Sequence, residues 1–266
     1  MTDDQRTADG QIRTAADGHV LCIIIDRPAK LNGFSLRMLR GLGQAFSELE
    51  NNPTYRCGLL CAEGANFTAG LQLDQVGPVM ATGQSLFPLD HVDPMSLRPP
   101  LRKKPVVAAV QGICFTIGIE LMLACDIVIA ADDCRFAQIE VKRGIMPTGG
   151  ATMRFVERAG WGNAQRYLLT GDEFNAAEAM RLGFVQQVVA TRDLREAALT
   201  MARRIAEQAP LAVQASLASS RRYLEQGPVG MSAEMDRMQQ RLSESADAAE
   251  GVRSFVERRQ AKFEGR

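Results

Sequence analysis

Apolar and polar positions along the chain switch between strand-like runs and helix-like stripes. HVLCIIIDRP (19–28) is apolar and β-branched, ends at Pro28, and predicts a strand. Ser35 then offers an N-cap to SLRMLRGLGQAFSELENN, in which Leu36, Leu39, Leu42, Phe46 and Leu49 recur at three- and four-residue spacing, the stripe of an amphipathic helix. CGLLCAEG (57–64) is a second short strand. Strand, helix and strand in this order form a βαβ unit, for which parallel strands and a right-handed crossover are expected.

NFTAGLQLDQV (66–76) reads as a glycine-containing loop leading into a helix, and 77–103 as an irregular stretch punctuated by Pro78, Pro88, Pro94, Pro99 and Pro100. An irregular stretch of that length inside a compact chain is more often functional than idle. VVAAVQG (106–112), CDIVIAAD (125–132) and CRFAQ supply further buried strands. From Thr148 the pattern turns helical over 150–159, 163–169 and NAAEAMRLG; FVQQVV (184–189) is one more strand, and helices follow at 192–207, 210–225, 231–243 and 246–262. The expected fold is α/β: a flexible lead-in over 1–18, a core over 19–200 with a parallel-rich sheet, and a helical C-terminal region over 201–266 that packs on neighbours as well as on its own core.

Composition narrows the function classes. Lys+Arg and Asp+Glu both total 31, so the balanced charge argues against nucleic acid or an anionic membrane as the main partner. No apolar run approaches the roughly 20 residues of a membrane span, and the polar start MTDDQRTADGQIRTAADG carries no secretory h-region. The six cysteines (Cys22, Cys57, Cys61, Cys114, Cys125, Cys134) lie scattered in apolar segments, and with only His19 and His91 beside them they read as buried thiols rather than metal ligands. No metal site is expected, and a reducing cytoplasm fits best.

Chemistry concentrates between Lys104 and Gly150. Glu120 sits among Gly118, Ile119, Leu121, Met122 and Leu123, and Glu140 follows Phe136, Ala137 and Ile139. A carboxylate in such surroundings is costly unless it is paired, hydrogen-bonded or protonated. Two of them converging on one pocket could hold a water and move a proton. For Glu140 the neighbouring Lys142 and Arg143 offer the alternative of an ordinary ion pair.

The run KPVVAAVQG followed by GIELMLACDIVIAADDCRFAQIEVKRGIMPTGG resembles the crotonase superfamily, and within it the enoyl-CoA hydratases. IDRPAKLNGFS, ANFTAGLQL, LLTGDEFNAAEAMRLGFVQQVV and EGVRSFVERRQAKFEG resemble further family stretches in the same order, so the likeness covers about 18–265. It implies a crotonase-like ββα-superhelix core with a helical trimerisation region, a homotrimer or homohexamer, and an acyl-CoA thioester as substrate with no separate cofactor. It also implies syn addition of water to a 2-enoyl-CoA, with Glu140 the main proton donor to Cα and Glu120 orienting and activating the water. The backbone N–H groups of Leu71 and Ile117 would form the oxyanion hole, and Ala29, Leu31, Ala69, Gly70, Gln72, Leu73 and Gly118 would line the substrate path. Arg27, Lys30, Arg102 and Lys103 are the basic residues placed to meet the CoA phosphates.

Three positions depart from the family pattern. Ile117 stands where a glycine is usual, Gln72 where Asp is common, and Asp74 where a basic residue is often found. The first restricts the backbone and narrows the pocket; the others weaken CoA attraction. A Δ3,Δ2-enoyl-CoA isomerase, which needs one acid, and a non-catalytic acyl-CoA-binding protein are the alternatives.

Overall fold

The core forms around β2 (Val20–Asp26), buried at every position except the last. The computed structural model describes residues 9–266. α1 (Leu36–Asn51) follows β2, and its Ser35 cap accepts from the Met38 N–H as expected, while Met38, Leu39, Leu42, Phe46 and Leu49 turn inward. The chain then enters β3 (Cys57–Ala62), which lies parallel to β2. β4 (Val106–Val110), β6 (Ile127–Ala131) and β9 (Gln187–Val189) extend the sheet, every new pair parallel. Their nearly continuous apolar runs are what a parallel sheet covered on both faces requires. α1 packs on β1 and β2, and α7 (Leu194–Ala206) on β3 and β4.

The lead-in expected over 1–18 is corrected where the structure describes it. Gln11–Asp17 form β1, antiparallel to β2 in the register Gln11 to Asp26 and Asp17 to Val20, which gives six strands in the order β1-β2-β3-β4-β6-β9. QIRTAAD is mostly exposed, so hydrogen bonding to β2 rather than core burial makes it a strand. The lead-in reading of residues 1–8 lies outside the described residues.

A second, three-stranded sheet was not legible as such. It joins β5 (Ile113–Phe115), β7 (Arg135–Ala137) and β8 (Phe174–Asn175) in the order β5-β7-β8. Its strands are too short to show a period. α2 (Leu73–Ala81) runs past Pro78 into the stretch read as irregular. Between β5 and β6 lies α3 (Ile117–Ala124), buried at all eight positions.

α4 (Ala151–Ala159), α5 (Trp161–Thr170) and α6 (Ala176–Arg181) lead to β9 and α7. The helices expected at 210–225 and 231–243 appear as one element, α8 (Pro210–Ser243), interrupted at Gly227 (φ 69°, ψ 178°). α9 (Ala246–Glu257) ends the regular structure, and the tail folds back: Asp247 accepts from the N–H groups of Glu264 and Gly265. Arg56 ties the tail to the core by donating to the Phe263 carbonyl. Leu224, Val229, Val252, Phe255 and Val256 remain exposed on α8 and α9. All six cysteines are free and buried. No helix among the described residues is long and apolar enough to cross a membrane.

Candidate active site

α3 is apolar on every side apart from Glu120, so the helix must be buried and the carboxyl goes in with it. Glu120 is 5% exposed. Its Oε1 accepts from the N–H of Gly149 at 2.7 Å and of Ala151 at 3.3 Å, where the chain turns into α4. Burial pushes this carboxyl up to about 7, and the charge of Glu140 adds to the rise against the two N–H bonds. Gly149 is required at close quarters: a Cβ there would lie 2.5 Å from Glu120 Oε2.

Glu140 opens a single 3₁₀ turn, Glu140–Arg143, just after β7 and is 9% exposed. Its partner is neither Lys142 nor Arg143, which corrects the ion-pair alternative. Gln138 Nε2 donates to Glu140 Oε1 at 2.9 Å, while Glu140 Oε2 and Gln138 Oε1 have no partner among the described residues. Burial raises the Glu140 carboxyl above the usual range, with the Gln138 bond opposing it. Gln138 was missed in the sequence because a glutamine inside a short apolar strand gives no signal of what it faces.

The backbone donors come together through strand-like pairing. Phe34 N–H donates to Gly70 O and Gln72 N–H to Phe34 O, which leaves the intervening Leu71 N–H pointing elsewhere. Thr68 pairs with Cys114, and the Phe115 N–H donates to Thr68 O. The 68–72 segment is thereby fixed beside the start of α3. Leu71, Ile117, Glu120 and Gly149 line one cavity of about 220 Å³. Among the described residues neither the Leu71 nor the Ile117 N–H has an acceptor within the protein. Ile117 is the first residue of α3, where free N–H groups and the helix dipole favour negative charge.

The departure from the family pattern is therefore absorbed one residue earlier than expected. Ile117 is helical, and Thr116 takes the strained conformation (φ 50°, ψ −115°). Glu140 is not among the residues that line the 220 Å³ cavity. Gly118 is not among them either: a Cβ there would meet Thr68 Cγ2 at 2.6 Å, so this glycine serves close packing of α3.

Residues 29–34 and 69–72 form one strip. Pro28–Lys30 make a 3₁₀ turn containing Ala29, Leu31 and Asn32 follow with φ of 50° and 54°, and the Ala69 N–H donates to Leu31 O. Asn32, fully buried, locks the turn: its Oδ1 accepts from the Arg27 N–H and its Nδ2 donates to the Glu63 and Asn66 carbonyls. A cavity of about 340 Å³ here is lined by Lys30, Ala69, Gly70 and Gln72 among others. The Gln72 side chain is held, its Oε1 accepting from Arg27 and its Nε2 donating to Asp74. Arg102 is corrected as a phosphate partner. It is 1% exposed, ion-paired with Asp126 at 2.6 Å and donating to the Lys104 and Ala124 carbonyls.

The stretch before Arg102 is ordered and walls the 220 Å³ cavity with Leu86, Phe87, Met95 and Leu97. Asp93 organises it by accepting from the N–H groups of Met95, Leu97 and Arg98. A larger apolar cavity of about 740 Å³, lined by Leu73, Ile145 and Met146, shares Met80 and Thr148 with it.

A model of the enoyl-CoA hydratase/isomerase family matches residues 15–266. The chain belongs to that family. A solved structure of a probable enoyl-CoA hydratase/isomerase from Mycobacterium abscessus superposes with a TM-score of 0.93 at 43% identity, covering 96% of this chain and 99% of the other. An enoyl-CoA hydratase of Mycobacterium tuberculosis is 33% identical over 252 residues, 94% of each chain. A carnitinyl-CoA dehydratase of Proteus mirabilis is 33% identical over 254 residues, 94% of this chain and 96% of its own. The fold is the crotonase fold, its two sheets and C-terminal helices in place.

One substitution tests how this buried acid is held. Gly149→Ala puts a methyl against Glu120 Oε2, so the carboxyl has to shift off the two N–H donors that favour its ionised form. The Glu120 midpoint, followed by carbon-13 resonances of labelled glutamate, is expected to move above about 7; an unmoved midpoint would mean that those donors do not hold it.

Proposed function

We propose that this family member hydrates a 2-enoyl-CoA thioester to the 3-hydroxyacyl-CoA by syn addition. The observation that carries the reading is one cavity lined by a buried, high-affinity carboxyl, Glu120, together with the free N–H groups of Leu71 and Ile117. Attack of water at Cβ moves an electron pair through Cα to the thioester oxygen. Two preorganised donors in a dry site are the most effective way to stabilise that oxygen, and losing one costs roughly 10²–10³ in rate. The enolate then collapses as Cα takes a proton. One acid takes a proton from water and the other gives one up, so the pair ends with the proton it began with.

Burial raises both carboxyls, and the charge of Glu140 adds to the rise at Glu120. The resemblance assigns the Cα donor role to Glu140, with Glu120 activating the water. The roles follow from which carboxyl faces Cα. The acyl-CoA is the substrate and no cofactor enters. The resemblance assigns Ala29, Leu31, Ala69, Gly70, Gln72 and Leu73 to the CoA arm; Ala69, Gly70 and Gln72 line the 340 Å³ cavity together with Lys30, the basic side chain there placed to meet phosphate.

A second reading, double-bond isomerisation, gains support from Glu140 lying off the cavity lining, since one acid suffices for it. Substitution separates the two. Glu120→Gln and Glu140→Gln are each expected to lower hydration by several orders of magnitude while acyl-CoA binding holds, because an amide keeps the shape but cannot exchange the proton. Full hydration in either variant removes that residue from the reaction; loss of hydration with isomerisation retained in Glu140→Gln favours the second reading. Activity needs the singly protonated pair, so kcat/KM for the native enzyme is expected to fall as pH rises through about 7, the value to which Glu120 is pushed.

Ile117→Pro tests the oxyanion donor. Proline suits the first position of a helix but disfavours the Thr116 conformation before it, so this change removes the N–H and adds some backbone distortion, which the folded fraction by circular dichroism monitors. A fall in kcat of about 10²–10³ is expected with KM little changed; unaltered kcat would exclude this donor.

We also infer a trimer or a dimer of trimers. Support comes from the apolar side chains left exposed on α8 and α9, Leu224, Val229, Phe255 and Val256 among them. Light scattering at micromolar concentration is expected to give three or six times the 29.0 kDa chain mass; a clean monomer would count against it.

A further inference from the structure

We propose that Arg154 is a positioning residue for this reaction: its guanidinium ties the turn that holds Glu120 to the wall of the 220 Å³ cavity, so that acid and wall are placed as one unit. The inference rests on the hydration reading above and extends it to a residue that touches no reacting atom.

The geometry is a fork across two loops. Arg154 Nη1 donates to the Gly149 carbonyl at 3.0 Å, and Nη2 donates to the Met95 carbonyl at 2.5 Å. Gly149 uses its other face, the N–H, to hold Glu120 Oε1 at 2.7 Å. Met95 and its neighbour Leu97 line the cavity in which Glu120 sits. The guanidinium therefore bridges the acid's anchor and the surface an acyl group would press against. Gly150 makes room for it: a Cβ there would fall 2.3 Å from Arg154 Nη1 and 3.4 Å from Leu97 Cδ2, and its φ of 106° suits glycine.

Among the described residues Arg154 pairs with no carboxylate, and its two terminal nitrogens both go to main-chain carbonyls that bear on the site. A planar fork with fixed donor directions holds two carbonyls in a set relation, with less freedom than the rotatable single nitrogen of a lysine allows. The charged and titratable groups around it are Arg158 and Glu157 on α4, Glu120 on α3 and Cys125 just beyond. Those acting on Glu120 are Glu140, which raises its proton affinity, and Arg154, which lowers it.

Two substitutions divide this role from mere stability. The Glu120 midpoint is read on the whole protein without substrate, using carbon-13-labelled glutamate, alongside kcat and KM for short and long enoyl-CoA thioesters. Arg154→Gln removes the charge and half the fork; the Glu120 midpoint is expected to rise above about 7 and kcat/KM to fall roughly 10²-fold, the cost of a misplacement of about 1 Å, with most of the loss in kcat. Arg154→Lys keeps the charge but loses the fixed fork, so it is expected to bring the midpoint back while kcat stays low and the native preference among chain lengths is lost. A folded Arg154→Gln protein whose Glu120 midpoint and chain-length preference match the native ones, with only Tm lowered, overturns the proposal. Should that variant fail to fold, native kcat and chain-length preference in Arg154→Lys overturn it instead. A native protein inert toward every enoyl-CoA sinks the hydration reading, whereas an unmoved Glu120 midpoint sinks the tie through Arg154.

Discussion

The site is organised around the burial of one carboxyl on a helix with no polar face. Placing Glu120 in α3 removes it from water at a cost of several kcal/mol for the ionised form. Two main-chain N–H groups, worth about 1.5–3 kcal/mol each toward a charged acceptor, offset part of that. The remainder appears as raised proton affinity, up to about 7. Much of the local structure is a condition for this balance: Gly149 without a side chain, a turn into α4 that aims two N–H groups at one oxygen, and Arg154 behind the turn. Were the turn to relax, the carboxyl would keep its burial and lose its donors.

The backbone donors depend on a separate constraint. Leu71 and Ile117 belong to segments held by short pairings, Phe34 with Leu71 and Thr68 with Cys114. Buried side chains make these pairings rigid. Asn32 closes the turn ahead of Phe34, and Thr68 Oγ1 donates to the Asn32 carbonyl at 2.7 Å while accepting from the Gly70 N–H at 3.1 Å. Thr116 carries the remaining strain. A non-glycine residue at φ 50° and ψ −115° costs of order 1–3 kcal/mol and persists only where its surroundings over-determine it. Here its N–H donates to Ala137, and its carbonyl receives the Ile119 and Glu120 N–H groups. The strain is thus held next to a free N–H, at the start of the helix that bears the acid.

What the sequence made legible follows from how far each signal reaches. β2, α1 and β3 were readable because their apolar periods are long and their caps local. β1 was not, because its polar residues are strand only through pairing with β2. β5 and β8 carry too few residues for a period to appear. Glu120 stood out as a lone charge in an apolar helix, and Glu140 as its distant counterpart. Gln138, Asn32 and Arg154 were silent because their roles depend on which carbonyl or carboxyl the fold brings near. Arg102 misled for the same reason: a basic residue in a loop reads as surface, yet here it is sealed against Asp126. The departure at Ile117 was visible in the sequence, but where its strain would settle was not, since helix and turn divide that strain between them.

The two acids are held by different means, and this bears on the division of work proposed for them. Main-chain N–H groups fix Glu120, and they cannot rotate away without unfolding the turn. Glu140 is held on one oxygen by the Gln138 amide, a side chain with its own torsions, and its other oxygen has no partner among the described residues. A buried acceptor left unpaired costs about 1–3 kcal/mol, more if charged. Glu140 is therefore the member whose position a rotation of a neighbour can change. An acid that must meet a carbon appearing only during the reaction benefits from that freedom. An acid that must set the direction of a small nucleophile benefits from being fixed. On this reasoning the rigid Glu120 suits alignment of water, and the looser Glu140 suits delivery of the proton.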